Sequence, residues 1–250
     1  MNRAGARPLV LLTRPADRAA ALVADLNALG IDTLVWPVLD IQPAITTTPA
    51  PNGAQAVLLT SPRAIEMLPD QIGELARLPA FCVGGTTAAA AHKAGFRQVH
   101  DADGDAADLA ALAGAHLSPD DGPVLYLRGR DVARDMGALL SQFEIRPVEV
   151  YRAEPMLTPD AAVLAAICAG NLTAVAFFSP RAATIFVKAL ANDMVEGLAQ
   201  TTAVAMSERV ANKVNDTSFQ SIEIAADPTA AAMRAAICGA CGIALPQNGV

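Results

Sequence analysis

Two stretches of this chain repeat each other without a gap. AVLLTSPRAIEML (Ala56–Leu68) aligns with AVAFFSPRAATIF (Ala174–Phe186), with Ala, Val, Ser, Pro, Arg and Ala at equivalent places. A second pair sets VLLTRPAD (Val10–Asp17), running on to Trp36, against VLYLRGRD (Val124–Asp131), running on to Val150, and matches Arg14 with Arg128 and Asp17 with Asp131. A fainter third pair is VGGTTA (Val83–Ala88) with VAMSER (Val204–Arg209). In each case a short apolar run passes through a polar turn into an alanine-rich stretch. Such alternation is the signature of an α/β protein with parallel sheets, and its recurrence marks a duplicated unit.

Strands are expected at Leu9–Leu12, Thr33–Trp36, Ala56–Leu59, Phe81–Val83, Val124–Leu127, Pro147–Tyr151, Ala174–Phe178, Ala203–Ala205 and Ser221–Ile224. A helix is expected over Asp17–Leu29, with Ala20, Val23, Ala24 and Asn27 at helical spacing and Gly30 as its stop. A duplication invites a cut at the Pro119–Pro123 turn, but the longest Pro-rich stretch is Pro37–Gly53, and its repeat equivalent is Arg152–Asp160. Both follow the first strand-helix-strand of a repeat, and linkers are often Pro-rich. The expected organisation is therefore interleaved. An outer α/β domain comprises 1–37 plus 156–250, an inserted α/β domain comprises 38–151, and linkers near 37–53 and 152–160 form a two-stranded hinge. Each domain is expected to be a parallel-sheet, Rossmann- or flavodoxin-like fold.

Composition narrows the function. The net charge of −7 argues against a nucleic-acid binder, and an aromatic content of 4% leaves little for base stacking. The hydrophobic fraction of 53% is inflated by alanine, and no apolar run approaches the roughly 20 residues of a membrane span. Arg3 and Arg7 precede only Leu9–Leu12, too short for a signal-peptide core, so a cytoplasmic protein is expected. Cys82, Cys168, Cys238 and Cys241 read as reduced thiols, and the Cys238–Cys241 pair lacks a second pair or nearby histidines to complete a zinc site. No nucleotide-binding glycine fingerprint, nucleophile elbow or zinc-protease motif is present, and no cofactor is expected.

A polar or basic residue does recur where strand meets helix. These places are Thr13 and Arg14, Ser61 and Arg63, Thr87, Arg128, Ser179 and Arg181, and Ser207 followed by Glu208 and Arg209. Ligands of parallel α/β sheets bind outside the carboxyl ends of the strands, where helix N-termini favour anions. Each domain is thus expected to carry an anion-binding rim. The competing reading is that the hydroxyls cap helices, proline occupies the first helical turn and the arginines are solvated.

Taken in order, LLTRP, TSPRA, VGGTTA, VLYLRG, EVYRAEP and FFSPRA resemble the uroporphyrinogen-III synthase family from Val10 to about Ala236. The resemblance implies two α/β domains joined by a two-stranded linker, with the active site in the cleft between them. It implies hydroxymethylbilane, a linear tetrapyrrole with eight carboxylates, as substrate and uroporphyrinogen III plus water as products, with ring D inverted through a spirocyclic pyrrolenine. Tyr151 aligns with the family's linker tyrosine. It is the expected catalytic residue, a phenol able to donate a proton to the departing hydroxyl, whereas Tyr126, inside a strand, is expected only to pack. Thr87 corresponds to the threonine of the family's V-G-x-x-T pattern. At Ser207–Arg209 the chain departs from the small turn of the family. A monomer is expected, in transient contact with hydroxymethylbilane synthase. The alternative is a non-catalytic, two-domain binder of tetrapyrroles or other polyanions.

Overall fold

The computed structural model describes residues 7–69, 72–132 and 134–245 of the 250, and Arg3 lies outside them. In chain order the first elements are β1 (Leu9–Leu12), α1 (Ala16–Ala28), β2 (Asp32–Val35), β3 (Leu39–Pro43), β4 (Ala56–Leu59) and α2 (Pro62–Glu66). They are followed by β5 (Ala80–Cys82), α3 (Gly85–Ala94), β6 (Val99–Asp101), α4 (Ala106–His116), β7 (Val124–Gly129), α5 (Met136–Leu139) and β8 (Ile145–Pro155). The remainder is α6 (Ala161–Cys168), β9 (Ala174–Phe177), α7 (Pro180–Ala189), α8 (Asn192–Gly197), β10 (Thr202–Ala205), α9 (Glu208–Ala211), β11 (Ser221–Ile224) and α10 (Ala230–Ala240).

The chain divides into two compact units. One is discontinuous, Met1–Asp40 with Pro155–Val250, and the other is the continuous stretch Ile41–Glu154. The discontinuous unit holds a five-stranded sheet in the order β11-β10-β9-β1-β2, with every neighbouring pair parallel. The sheet of the continuous unit runs β3-β8-β7-β4-β5-β6, and its pairs from β8 to β6 are parallel. At its edge, Met156 N donates to Val38 O at 2.9 Å and Ala44 N donates to Val150 O at 2.9 Å. The donor and acceptor positions step in opposite directions, so the two crossing segments run antiparallel.

The period of two along each central strand separates two cores per unit. Leu11, Val175, Phe177, Ala203 and Ala205 face one side with Trp36 and Phe186, while Val10, Leu12, Ala174, Ala176 and Val204 face the other with Leu26, Met233 and Ile237. In the continuous unit, Val57, Leu59, Leu125, Leu127 and Val150 oppose Ala56, Leu58, Phe81, Val124 and Tyr126 in the same way. Burying each Val or Leu side chain contributes about 1.5–3 kcal/mol. That is why β4 and β9 are apolar at every position rather than alternating.

The sequence expectation differs from the structure in three local places. The buried face of α1 is Ala19 and Leu26, with Leu22 and Val23 packed beside them, so of Ala20, Val23, Ala24 and Asn27 only Val23 turns to the core. Alanine on every side of this helix removes the contrast that would mark its face. β3 and β6 are strands that the sequence does not announce. Both are sheet edges, where LDIQP and VHD need bury little. The stretch 37–53 accordingly contains β3, and β8 continues to Pro155. The Pro119–Pro123 turn forms a short 3₁₀ turn at Pro119–Asp121 inside the continuous unit.

Candidate active site

In the continuous unit, β4 pairs in parallel with β7 from Ala56 opposite Val124 to Leu59 opposite Leu127, so β4 ends at the level of Leu127 while β7 runs on to Gly129. Beyond those ends lies a cavity of about 390 Å³. Its wall includes Thr60 and Ser61 after β4, Tyr126, Arg128 and Gly129 on β7, and Tyr151 on β8. Ser61 is held by its cap, since its Oγ accepts from Arg63 N at 3.2 Å with Pro62 opening α2. Arg128 is anchored at one edge, its Nη1 donating to Gly129 O at 3.2 Å and to Arg130 O at 3.0 Å. Three of the expected residues, Ser61, Arg128 and Tyr151, therefore share one cavity.

Tyr151 owes its position to an irregular pairing. Arg128 pairs with Glu149, but Gly129 pairs with Tyr151, so β8 carries one extra residue, Val150, at this step. The phenol ring then lies over Gly129, where a β-carbon would come 2.6 Å from its Cζ and 2.9 Å from its hydroxyl. Arg130 N donates to Tyr151 O at 2.9 Å and fixes the backbone beyond the irregularity. Tyr126, expected only to pack, does more: its ring is buried at 5% exposure, yet its hydroxyl stands 3.1 Å from Thr60 Oγ1 at the wall of the same cavity. Asp105, Asp131 and Arg134 complete the polar lining, so two guanidinium and two carboxylate groups border the cavity.

Thr87 and Arg63 lie outside this wall. Thr87 is buried at 2% exposure within α3, and Arg63 reaches Glu66 on its own helix at 3.5 Å. In the discontinuous unit, Thr13 is likewise buried, and its Oγ1 donates to Ala176 O at 2.8 Å, tying β1 to β9. Arg14 stacks over the Phe178 ring at 4.6 Å and borders a second cavity, of about 440 Å³, with Arg18, Asp17, Asp25 and Arg234. Burial first, and the charge of Arg18 second, lower the pKa of Arg14 against the opposing pull of Asp17. Its Nε is buried with no hydrogen-bond partner among the described residues. Ser179 caps α7 by accepting from Ala182 N at 3.1 Å, and Arg181 is exposed on the same turn. Ser207 precedes α9 without a side-chain cap bond, and Glu208 points into solvent. None of Ser179, Arg181 and Ser207 borders either cavity.

Burial pushes Cys82 and Cys241 up to about 12 and raises Cys238, so none of these three is poised as a thiolate. Among the described residues, no group of three or more His, Cys, Asp or Glu is arranged to hold a metal ion. Among the same residues no helix is long and apolar enough to cross a membrane.

The profile of the family described as Uroporphyrinogen-III synthase HemD matches residues 20–235. This chain belongs to the uroporphyrinogen-III synthase family. It is 26% identical over 214 residues to the uroporphyrinogen-III synthase of Chlorobaculum parvum (strain DSM 263 / NCIMB 8327), covering 78% of this chain and 84% of that one. Two solved structures share its fold. Uroporphyrinogen-III synthetase from Helicobacter pylori 26695 matches with a TM-score of 0.60 at 17% identity, over 91% of this chain and 96% of that one. A mutant uroporphyrinogen III synthase from the extremely thermophilic bacterium Thermus thermophilus matches with a TM-score of 0.57 at 18% identity, over 93% and 96%. Within this uroporphyrinogen-III synthase family member, sequence reasoning reached Tyr151, Ser61 and Arg128 but not Thr60, Gly129 or the Tyr126 hydroxyl. A glycine inside a strand, as at the end of VLYLRG, was the available signal for Gly129, since such a glycine often marks a close approach.

Proposed function

We propose that this chain is an enzyme, a lyase that cyclises hydroxymethylbilane to uroporphyrinogen III with loss of one water. The observation that carries this reading is the phenol of Tyr151, seated on Gly129 at the wall of a cavity that also holds Ser61, Arg128 and Tyr126. Phenols carry their proton at neutral pH and can donate it. The pyrrole nitrogen of the terminal ring supplies the electron pair that breaks its C–O bond, and Tyr151 gives the departing hydroxyl a proton, so that it leaves as water. The substituted end of ring D then bonds to the resulting cation, giving the spirocyclic pyrrolenine. Its older bond to the neighbouring bridge carbon breaks and re-forms at the other end of the ring, and the proton released on rearomatisation restores the phenol. The substrate supplies both nucleophile and electron push, so the protein chiefly holds the flexible bilane in one conformation.

Carboxylates of such a substrate are natural partners for the arginines of the two rims, Arg128 with Ser61 on one and Arg14 on the other, while Arg63, Thr87, Thr13, Ser179, Arg181 and Ser207 act through the helices and strands that they hold. The sequence repeat and the side-by-side crossing segments β3 and β8 support a duplicated, interleaved architecture with a two-stranded hinge. The same reading includes a monomer of the cytoplasm that takes its substrate from hydroxymethylbilane synthase. The test is to incubate the purified chain with hydroxymethylbilane, oxidise the products and separate the isomers. Type III uroporphyrin in excess is the expected result. Type I alone, the product of unassisted closure, would mean that the chain does not catalyse the reaction.

A further inference from the structure

Gly129 has an extended rather than left-handed backbone, since it is absent from the glycines with positive φ, so nothing in its conformation demands glycine. What demands it is space. Leu125, Leu127 and Gly129 follow one another on the same face of β7, and where a third side chain would stand the Tyr151 ring lies instead. A β-carbon there would meet Cζ at 2.6 Å, Cε2 at 2.7 Å and the hydroxyl at 2.9 Å, all closer than real carbon contacts. The Tyr151 backbone is held just past the extra residue of β8, where Arg130 N donates to Tyr151 O, so a β-carbon at 129 would act on the ring rather than on the backbone.

We infer that Gly129 is a positioning residue for the Tyr151 phenol, setting the height at which its hydroxyl meets the departing oxygen of the substrate. This rests on the role proposed above for Tyr151. A methyl group at position 129 lifts the ring and displaces the hydroxyl by an ångström or so, while Ser61 and Arg128 keep their own anchors. Misplacement of that size costs about 10²-fold in rate. Turnover should therefore fall while the Michaelis constant stays near its native value.

The experiment is a double-mutant cycle of Gly129→Ala with Tyr151→Phe, reading kcat and KM for hydroxymethylbilane. Gly129→Ala alone is expected to lower kcat about 10²-fold with KM nearly unchanged. Added to Tyr151→Phe, it should cost little more, because no hydroxyl remains to be misplaced. An equal loss in both backgrounds would make Gly129 a merely structural residue and overturn the inference. So would native kcat in Gly129→Ala beside a depleted Tyr151→Phe, an outcome that leaves the role of Tyr151 standing. Native kcat in Tyr151→Phe removes that role, and the inference with it. If Gly129→Ala does not fold, thermal unfolding decides: with the ring gone in Tyr151→Ala, adding Gly129→Ala should leave Tm unchanged, and a further drop would show that the methyl group clashes elsewhere.

Discussion

The two units treat the same position after an aligned strand in opposite ways. After β1, Thr13-Arg14 meets Pro15, whose backbone sits at φ −50° and ψ 141°, and the 13-residue helix α1 starts at once. At the aligned place Arg128 meets Gly129 within the end of β7, and the chain then reaches only the 4-residue helix α5. Proline is pre-set to open a helix, and glycine leaves room above it. On the first rim the arginine packs its guanidinium on Phe178, and on the second it curls onto its own backbone while an aromatic from the next strand fills the place of a side chain. The difference teaches that at aligned positions a proline sends the chain straight into a helix, whereas a glycine beside one extra residue in the neighbouring strand makes room for an aromatic ring.

The largest effect should come from separating the units. The fragment Ile41–Glu154 contains both faces of its sheet and should unfold cooperatively on its own, yet convert no bilane. A fragment ending at Leu117 lacks β7, which lies between β8 and β4, and should not fold. Circular dichroism and chemical denaturation of the two fragments check this, and cooperative unfolding of the 1–117 fragment beside a disordered 41–154 fragment would break the division into units.

Next in size are the arginines. Arg128→Ala should raise KM about tenfold, as expected for one hydrogen bond to a charged group, with kcat less affected. Arg14→Ala tests whether the second rim carries a comparable share. Arg63→Ala and Arg181→Ala, outside both cavities, should change KM less than about twofold, an estimate set by surface-charge energies. Steady-state kinetics on the four variants is the check, and equal effects in all four would erase the contrast between lining and non-lining arginines. The smallest effect is in the caps: Ser61→Ala and Ser179→Ala should each cost about 1 kcal/mol of stability, but only Ser61→Ala should also raise KM.

Much of this arrangement is legible in the residues. Central strands announce themselves because both faces are buried, as in Ala56–Leu59 and Ala174–Phe177. Ser61 and Ser179 announce themselves because a cap followed by proline is a local device that needs no tertiary partner. The edge strands β3 and β6 are hidden because an edge strand need not be apolar. The seat of Tyr151 is hidden for a different reason. It depends on an irregular pairing between β7 and β8 that only the folded sheet creates. The resemblance to a family drew attention to Tyr151, but nothing in the linear pattern joins it to Gly129, or Tyr126 to Thr60.

The most direct test of the chemistry is kcat for Tyr151→Phe beside Tyr126→Phe in one assay with hydroxymethylbilane. Loss of a proton donor to the leaving hydroxyl predicts a fall of about 10²–10⁴-fold in Tyr151→Phe, with type III still the main isomer formed. Tyr126→Phe loses only its bond to Thr60 and should fall far less. Near-native turnover in Tyr151→Phe, with the loss appearing in Tyr126→Phe instead, would contradict the assignment of the proton donor.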